Sequence, residues 1–362
     1  MCHSPLHPFL AALPKCEHHI HIEGSLTPPT LFALAARNNI TLPSPANLSS
    51  TNPAADAAYS NVTSLELRYE SFTSLDDFLH YYYIGMSVLL HPTDFADLAL
   101  TYLRKAHADG VRHAEIFFDP QAHVARGVSF STVLSGLRAG CAEAEKECGV
   151  SSLLICCFLR HLPVSETVAA WGGAELQTAI QRGEVAGIGL DSSEAPFPAR
   201  LFESVWREAR EAGVKCTMHA GEEGAEGVRN IETALFELGC ERVDHGIQLA
   251  RDPALMARVA EKGALLTVCP LSNVALRGVQ SVSEVPIRTF LDNGVRFSIN
   301  SDDPAYFGGF ILENYCRVQE AFGLGRGDWV RIAEWAIEGS WCGEGRKEVL
   351  RGELREVESR FA

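Results

Sequence analysis

Short apolar stretches alternate with longer amphipathic ones along most of this chain, and this alternation limits the folds that it can adopt. The apolar stretches have the length of buried strands, and the segments between them carry apolar residues three and four positions apart, as helices with one buried face do. The strands predicted in this way cover 17–22, 111–118, 152–158, 185–190, 215–219, 242–244, 264–269 and 295–300. Because strands that alternate with helices form parallel sheets, eight of them predict an α/β fold, a (β/α)8 barrel of the TIM type.

The segments between the strands predict the outer helices of this barrel. Helical patterns cover 131–147, 164–182, 198–212, 228–239, 253–262 and 286–293. The first connection is too long for one crossover, and it contains further helical patterns at 29–38, 76–90 and 92–109. An open, doubly wound sheet is the alternative, but no Gly-x-Gly-x-x-Gly pattern follows any predicted strand.

We predict a single domain over residues 1–362, because α/β barrels reach this length and the chain shows no internal repeat. The segment 43–64 is rich in Ser, Pro, Asn, Thr and Ala, which predicts a mobile surface loop. The last segment, 306–362, predicts C-terminal helices packed on the outside of the barrel.

Composition argues against several classes of partner. The formal net charge of -15 argues against nucleic acid, whose phosphates are bound by Lys and Arg. No apolar run is long enough to cross a membrane, and the N-terminal residues lack the pattern of a signal peptide. We therefore expect reduced thiols for the 11 cysteines and a cytoplasmic location, with the nucleus as the alternative. Composition does not indicate an oligomeric state.

Histidines near the start of the chain suggest a metal site. His19 and His21 share one face of the first predicted strand, whereas His18 points to the other face. Two neutral imidazoles at the carboxyl end of a strand can bind one divalent metal ion, most often zinc. A His-x-His pattern alone is a weak indication, since it also fits a strand that happens to carry histidines.

The carboxyl ends of the other strands, where barrel active sites form, supply the remaining groups. His219 is the last residue of the fifth predicted strand, and Asp302 and Asp303 follow the eighth. A catalytic zinc needs several protein ligands and an open position for water, and His19, His21, His219 and Asp302 meet that need. Asp303 would then face the substrate.

Two more residues are candidates for proton transfer. Glu222 lies on the turn after His219 and could move a proton, and His245 could accept a hydrogen bond or a proton from an attacking water. Taken alone, Glu222 could instead be a carboxylate stabilised by a helix N-terminus, and any single His or Asp could be a satisfied buried group. Candidate groups at seven of the eight strand ends favour a catalytic site.

The chain resembles the adenosine and adenine deaminase family of the amidohydrolase superfamily over nearly its whole length. The matching motifs, in this order, are Pro14-Lys15-x-Glu17-x-His19-x-His21-x-Glu23-Gly24, His219-Ala220-Gly221-Glu222, Asp244-His245-Gly246 and Ser301-Asp302-Asp303-Pro304. The resemblance implies one Zn2+ per chain, with the ligands His19, His21, His219 and Asp302. It also implies that Glu222 donates a proton to purine N1, that His245 positions the hydroxide and that Asp303 contacts the purine. The implied reaction replaces the amino group at C6 of an aminopurine and releases ammonia.

Within this family the chain is most similar to the adenine deaminase branch of fungi and bacteria. Glu23 stands where adenosine-specific members usually carry Asp, and Ser192 stands where they carry glycine. Both differences would reduce the room for a ribose. The resemblance implies substrate contacts from Glu23, Asp119, Ser192 and Asp303. We expect free adenine as the small-molecule substrate, in purine salvage, with adenosine or N6-substituted adenines as alternatives.

Other classes fit the residues less well. A cytidine deaminase type of site would need a Pro-Cys-x-x-Cys motif, which the chain lacks. Binuclear amidohydrolases use a modified lysine after the fourth strand, where this chain has Asp191 and Ser192. The non-enzyme alternative is a zinc-stabilised binding protein, but such a protein would be expected to have lost Glu222 or one of the aspartates.

Overall fold

The computed structural model describes residues 3–43 and 57–362 of the chain. Its strands are Lys15–Glu17 (β1), Val111–Phe118 (β2), Ser151–Leu159 (β3), Gly187–Asp191 (β4), Lys215–Cys216 (β5), His219–Ala220 (β6), Arg242–His245 (β7), Leu265–Val268 (β8) and Arg296–Ile299 (β9). Every paired strand runs parallel to its neighbour. The predicted α/β class is confirmed.

Backbone hydrogen bonds join two parallel sheets on one side of the structure. Strands β1 to β5 form the first sheet and β6 to β9 the second. Between β5 and β6, the Thr217 amide donates to the Ile188 carbonyl (3.0 Å), and the Asp244 amide donates to the Met218 carbonyl (2.9 Å). The predicted strand 215–219 is therefore one irregular strand that pairs with β4 through its first half and with β7 through its second half.

The two sheets also meet on the opposite side, where the chain from β1 contacts the segment after β9. The His21 amide donates to the Asp302 carbonyl, and the Asp302 amide donates to the His19 carbonyl, both at 3.0 Å. These bonds complete a closed ring of strands, which confirms the predicted (β/α)8 barrel.

The predicted first strand, 17–22, is wrong in its bounds. Regular pairing ends at Glu17, and beyond it Ile20 and His21 form only single bridges with neighbouring strands. The cause is a tertiary contact, because the His18 amide donates to the side chain of Asn300 (2.8 Å) instead of to a neighbouring strand.

Helices follow most of the strands. Their bounds are His7–Ala12, Pro28–Arg37, Val62–Tyr69, Leu75–Met86, Pro92–Ala108, Pro120–Val124, Phe130–Cys148, Val164–Trp171, Ala174–Gln181, Glu203–Glu211, Gly227–Glu232, Pro253–Lys262, Pro270–Ala275, Ile287–Asp292, Ile311–Phe322, Arg326–Gly339 and Glu344–Arg360. The predicted helix 164–182 is two helices, because Gly172 and Gly173 interrupt it with their low helix propensity. The predicted helix 228–239 becomes a π-helix over Thr233–Glu237.

The predicted loop 43–64 lies largely outside the described residues, which resume at residue 57. Its last residues belong to the helix Val62–Tyr69, where the Asn61 side chain caps the N-terminus by accepting from the Ser64 amide (2.9 Å). The loop is therefore shorter at this end than predicted. Within the described residues, none of the helices combines the length and the apolar character that a bilayer crossing requires.

A buried ion pair lies inside the barrel. Nη2 of Arg242 lies 2.5 Å from Oε2 of Glu115, and both side chains are fully buried. The guanidinium of Arg242 also stacks on Trp341, 3.9 Å from the centre of its ring. Burial alone would raise the pKa of Glu115, but the charge of Arg242 and the hydrogen bond from His113 outweigh it and hold that pKa well below its usual range.

We predict that Glu115→Gln lowers the free energy of unfolding by about 3 kcal/mol, because it leaves a buried guanidinium without its counter-charge. Urea unfolding followed by circular dichroism measures this change. The control is Glu147→Gln, whose partner Arg104 is largely exposed, so that little change is expected. Equal unfolding midpoints for the two variants would contradict the prediction.

Candidate active site

Four side chains from different strand ends converge on one point in the barrel. Nε2 of His19 lies 3.1 Å from Oδ1 of Asp302, and Nε2 of His21 lies 3.3 Å from Nε2 of His219. All four residues are buried, and one ligand atom of each lies within 4.8 Å of the others. Three imidazole nitrogens and a carboxylate oxygen are the kind of ligand set that holds a catalytic metal ion. The structure thus brings together the four predicted metal ligands.

The backbone is strained at this point of the fold. Among the described residues, five non-glycine residues have φ in the left-handed region, and three of them line the site: Ser192 (φ 73°), His245 (φ 62°) and Asp302 (φ 63°). A residue with a Cβ atom keeps this conformation only where surrounding contacts hold it, and such residues cluster at functional sites. The backbone bonds of Asp302 to His19 and His21 are contacts of this kind.

A hydrogen-bond chain orients His19. The Thr267 hydroxyl donates to Oδ1 of Asp244 (2.8 Å), so its oxygen is free to accept from Nδ1 of His19 (3.0 Å). This arrangement leaves a lone pair on Nε2 of His19, which faces the cluster, is buried and has no hydrogen-bond partner. An outer hydrogen bond of this type is usual for a metal-binding histidine.

Aspartates face the outer nitrogens of the other two imidazoles. Oδ2 of Asp244 lies 3.6 Å from Nδ1 of His219, and Oδ2 of Asp191 lies 3.5 Å from Nδ1 of His21. A carboxylate behind a metal-binding imidazole fixes its tautomer and makes it a better ligand. Neither aspartate has a role predicted from the sequence, although both stand at strand ends beside predicted site residues.

His245 and Glu222 lie beside the four ligands. Nε2 of His245 is 3.4 Å from Oε2 of Glu222 and 3.7 Å from Oδ2 of Asp302. The Asn273 amide group lies 3.2 Å from Nδ1 of His245 and donates to it, which places the imidazole proton on Nε2. Burial, together with the neighbouring His19, lowers the pKa of His245 to about 3, so the ring is neutral at physiological pH.

Glu222 has the environment of a carboxyl group that holds a proton. Burial raises its pKa well above the ordinary value, and the charges of Asp302 and Glu223 raise it further. Its Oε1 atom is buried without a hydrogen-bond partner. A carboxyl group with a raised pKa can donate a proton near neutral pH.

A cavity opens beside these residues. Part of its wall consists of side chains from the helix Leu75–Met86, namely Leu75, Phe78, Leu79, Tyr82 and Tyr83. Among the predicted substrate-binding residues, Asp119, Ser192 and Asp303 line the cavity. A planar ligand would therefore meet aromatic and aliphatic side chains of this helix as well as carboxyl groups.

Glu23, the fourth predicted substrate-binding residue, is placed differently. Its Oε1 atom lies 2.8 Å from Nε2 of His123 and 3.3 Å from the Asp119 amide, and it is not among the residues that line the cavity. Burial raises the pKa of Glu23 to about 7. Glu23 thus supports the segment that carries Asp119, and its predicted substrate contact stays a prediction.

Two motif residues, Glu17 and Gly24, hold the segment after β9 in place. Glu17 accepts hydrogen bonds from the Ser301 amide (3.0 Å) and from the Tyr102 hydroxyl (2.7 Å). A Cβ atom at Gly24 would lie 2.0 Å from Oδ1 of Asp303, so only glycine permits this approach. Neither residue has a function predicted from the sequence, because their partners Ser301 and Asp303 lie near the other end of the chain.

The barrel and its site define a hydrolase of the amidohydrolase type with a possible metal centre. The family model for adenosine deaminase matches residues 14–357. An adenine deaminase from Aspergillus fumigatus is 55% identical over 350 residues, covering 97% of this chain and 96% of that protein. The chain belongs to the adenosine deaminase family, and within it the chain is similar to the adenine deaminases of fungi and bacteria.

Solved structures agree with this assignment. The adenine deaminase from Arthrobacter aurescens superposes with a TM-score of 0.86 at 40% identity, over 95% of this chain and 98% of that chain. An amidohydrolase from Burkholderia ambifaria, solved with bound Zn, superposes with a TM-score of 0.83 at 29% identity, over 98% of this chain and 94% of that chain. The predicted family is confirmed.

We predict that Asp244→Ala weakens metal binding by about 10- to 100-fold, because the aspartate orients two of the imidazoles. Metal content after dialysis against graded chelator concentrations measures the change. The control is His18→Gln, since His18 is bonded to Ser298 (3.0 Å) and Ser340 (2.8 Å), away from the cluster. Equal metal retention by Asp244→Ala and the wild type would show that the aspartate does not support the ligands.

Proposed function

We propose that this protein deaminates free adenine hydrolytically, giving hypoxanthine and ammonia, with one zinc ion per chain. The observation that carries the proposal is the convergence of His19, His21, His219 and Asp302 beside the carboxyl group of Glu222. The similarity to adenine deaminases supports the choice of substrate, and the zinc in the Burkholderia structure supports the choice of metal. We further propose a role in purine salvage in the cytoplasm.

The residues present fit a zinc ion. Nε2 of His19 is buried without a partner, and the outer nitrogen of each ligand imidazole faces a hydroxyl or a carboxylate. These four ligands, together with the groups that face their outer nitrogens, suit a catalytic zinc ion. When bound, a zinc ion would act as a Lewis acid and make water nucleophilic at neutral pH.

Three side chains around the metal cluster have separate roles in proton transfer and hydrogen bonding. Glu222 holds the proton that N1 of the purine receives, which makes C6 more electrophilic. His245 offers its Nε2 proton as a hydrogen bond that orients the attacking water. Asp303 lines the cavity with a buried Oδ1 atom that has no partner, so it can accept a hydrogen bond from the purine ring or from this water.

The cavity wall favours a base without a sugar. Asp119 and Asp191 line the cavity and place buried carboxyl oxygens within reach of a ligand. Free adenine has an N–H group on its five-membered ring, whereas a nucleoside carries its sugar at N9. A buried acceptor left unpaired by the wrong substrate is a strong source of specificity.

We predict that Glu222→Gln lowers kcat for adenine by about 10²- to 10⁴-fold, because the amide cannot deliver the proton to N1. Ammonia release and metal content are measured together, and the metal is expected to remain. The control is Glu226→Gln on the same loop, whose carboxylate contacts the exposed Arg200. Activity of Glu222→Gln equal to that of the wild type would refute the mechanism and favour a zinc-stabilised binding protein.

We predict that Ser192→Gly raises the ratio of adenosine to adenine turnover by about tenfold, because a side chain is removed from the cavity wall. Glycine adopts φ 73° without strain, which offsets the lost hydrogen bond between the Ser192 hydroxyl and Nδ1 of His161 (2.7 Å), so Tm should change little. The assay compares adenine, adenosine and N6-methyladenine side by side.

The control is Asn39→Gly, which relieves a similar backbone conformation (φ 53°) at a residue that does not line the cavity. It should raise Tm and leave the substrate ratio unchanged. A wild type that prefers adenosine would refute the free-base proposal and leave the metal site standing.

A further inference from the structure

The turn that carries Glu222 is held from behind by a second carboxylate. Oε1 of Glu194 accepts a hydrogen bond from the Gly221 amide (2.8 Å). Oε2 of Glu194 accepts from the amides of Glu222 (2.9 Å) and Glu223 (3.2 Å). Three successive amides of one turn are therefore bound by one side chain, which is 1% exposed.

Neighbouring groups fix Glu194 in this position. Its Oε1 atom also accepts from Nδ2 of Asn230 (2.8 Å). Oε1 of Glu223 accepts in return from the amides of Glu194 (2.7 Å) and Ala195 (3.0 Å), so the two turns bind each other. The buried guanidinium of Arg160, which donates to the His219 carbonyl (2.6 Å), supplies the positive charge nearby.

The side chain of Glu222 has few contacts of its own. Its Oε1 atom has no hydrogen-bond partner, and its Oε2 atom lies 3.4 Å from Nε2 of His245. The direction of this carboxyl group therefore depends on the backbone of its turn. A displacement of about 1 Å in a catalytic group can cost about 100-fold in rate.

We infer that Glu194 is a positioning residue, which aims Glu222 at the substrate by binding the amides of Gly221, Glu222 and Glu223. This inference rests on the proposed function of Glu222. Glu194 acts through the backbone and does not itself touch the substrate, since it is absent from the residues that line the cavity.

Two matched substitutions test the inference. Glu194→Gln replaces an acceptor oxygen with an NH2 group that cannot accept, so at least one amide of the turn loses its partner. Glu223→Gln keeps the only oxygen of Glu223 that accepts the two amides of the opposite turn. Both substitutions remove one negative charge beside Glu222, so any difference between them reports on hydrogen-bond geometry.

For Glu194→Gln we expect kcat for adenine to fall by about 10- to 100-fold, with KM within about threefold and one metal ion per chain retained. For Glu223→Gln the expected fall in kcat is below about threefold. The inference is overturned by wild-type kcat in Glu194→Gln, or by equal losses in the two variants, which would indicate a charge effect.

Thermal unfolding and metal content are measured for each variant. If Glu194→Gln does not fold or loses its metal, Asn230→Ala provides the test, because it removes one of the four hydrogen bonds to Glu194. We expect it to lower kcat by about three- to tenfold at unchanged KM, and an unchanged kcat would overturn the inference. A wild type without activity on adenine would count against the proposed function only, and the variants would then be compared on the purine that it does deaminate.

Discussion

The backbone of Asp302 links the fold to the site. Its amide and carbonyl bond to His19 and His21, which closes the ring of strands, and the same residue turns its carboxylate toward both imidazoles. The left-handed φ of 63° makes this double role possible. Barrel closure and the placement of the metal ligands therefore depend on the same backbone hydrogen bonds. A chain that did not form these bonds at Asp302 would lose both the closed barrel and the ligand cluster.

Four buried ligands need partners for their polar atoms, since an unpaired buried polar group costs about 1–3 kcal/mol. The protein meets this need from outside the cluster. Thr267, Asp244 and Asp191 face the outer nitrogens of the imidazoles and leave the inner atoms for an ion. The site is thus pre-organised by residues that would not contact the metal.

The pattern of apolar and polar residues predicted those helices and strands whose bounds are set by neighbouring residues. The bounds of β2 and of the helix Pro253–Lys262 agree with the prediction. Both elements are determined by residues that are close together in the sequence. The first strand was wrong because Asn300, far away in sequence, takes the amide of His18. The four ligands were predictable as strand-end residues, whereas Glu194 was not, because its partners lie about 27 residues further on.

Carboxylates in this barrel fall into two groups that differ in what they face. Glu222, Asp302 and Asp303 point into the cavity or the metal cluster, where a proton or a charge is exchanged. Glu17, Asp244 and Glu194 lie behind them and accept hydrogen bonds from amides and hydroxyls. Such bonds are strong when the acceptor is ionised and shielded from water. The reacting groups can keep perturbed protonation states because carboxylates behind them hold their positions.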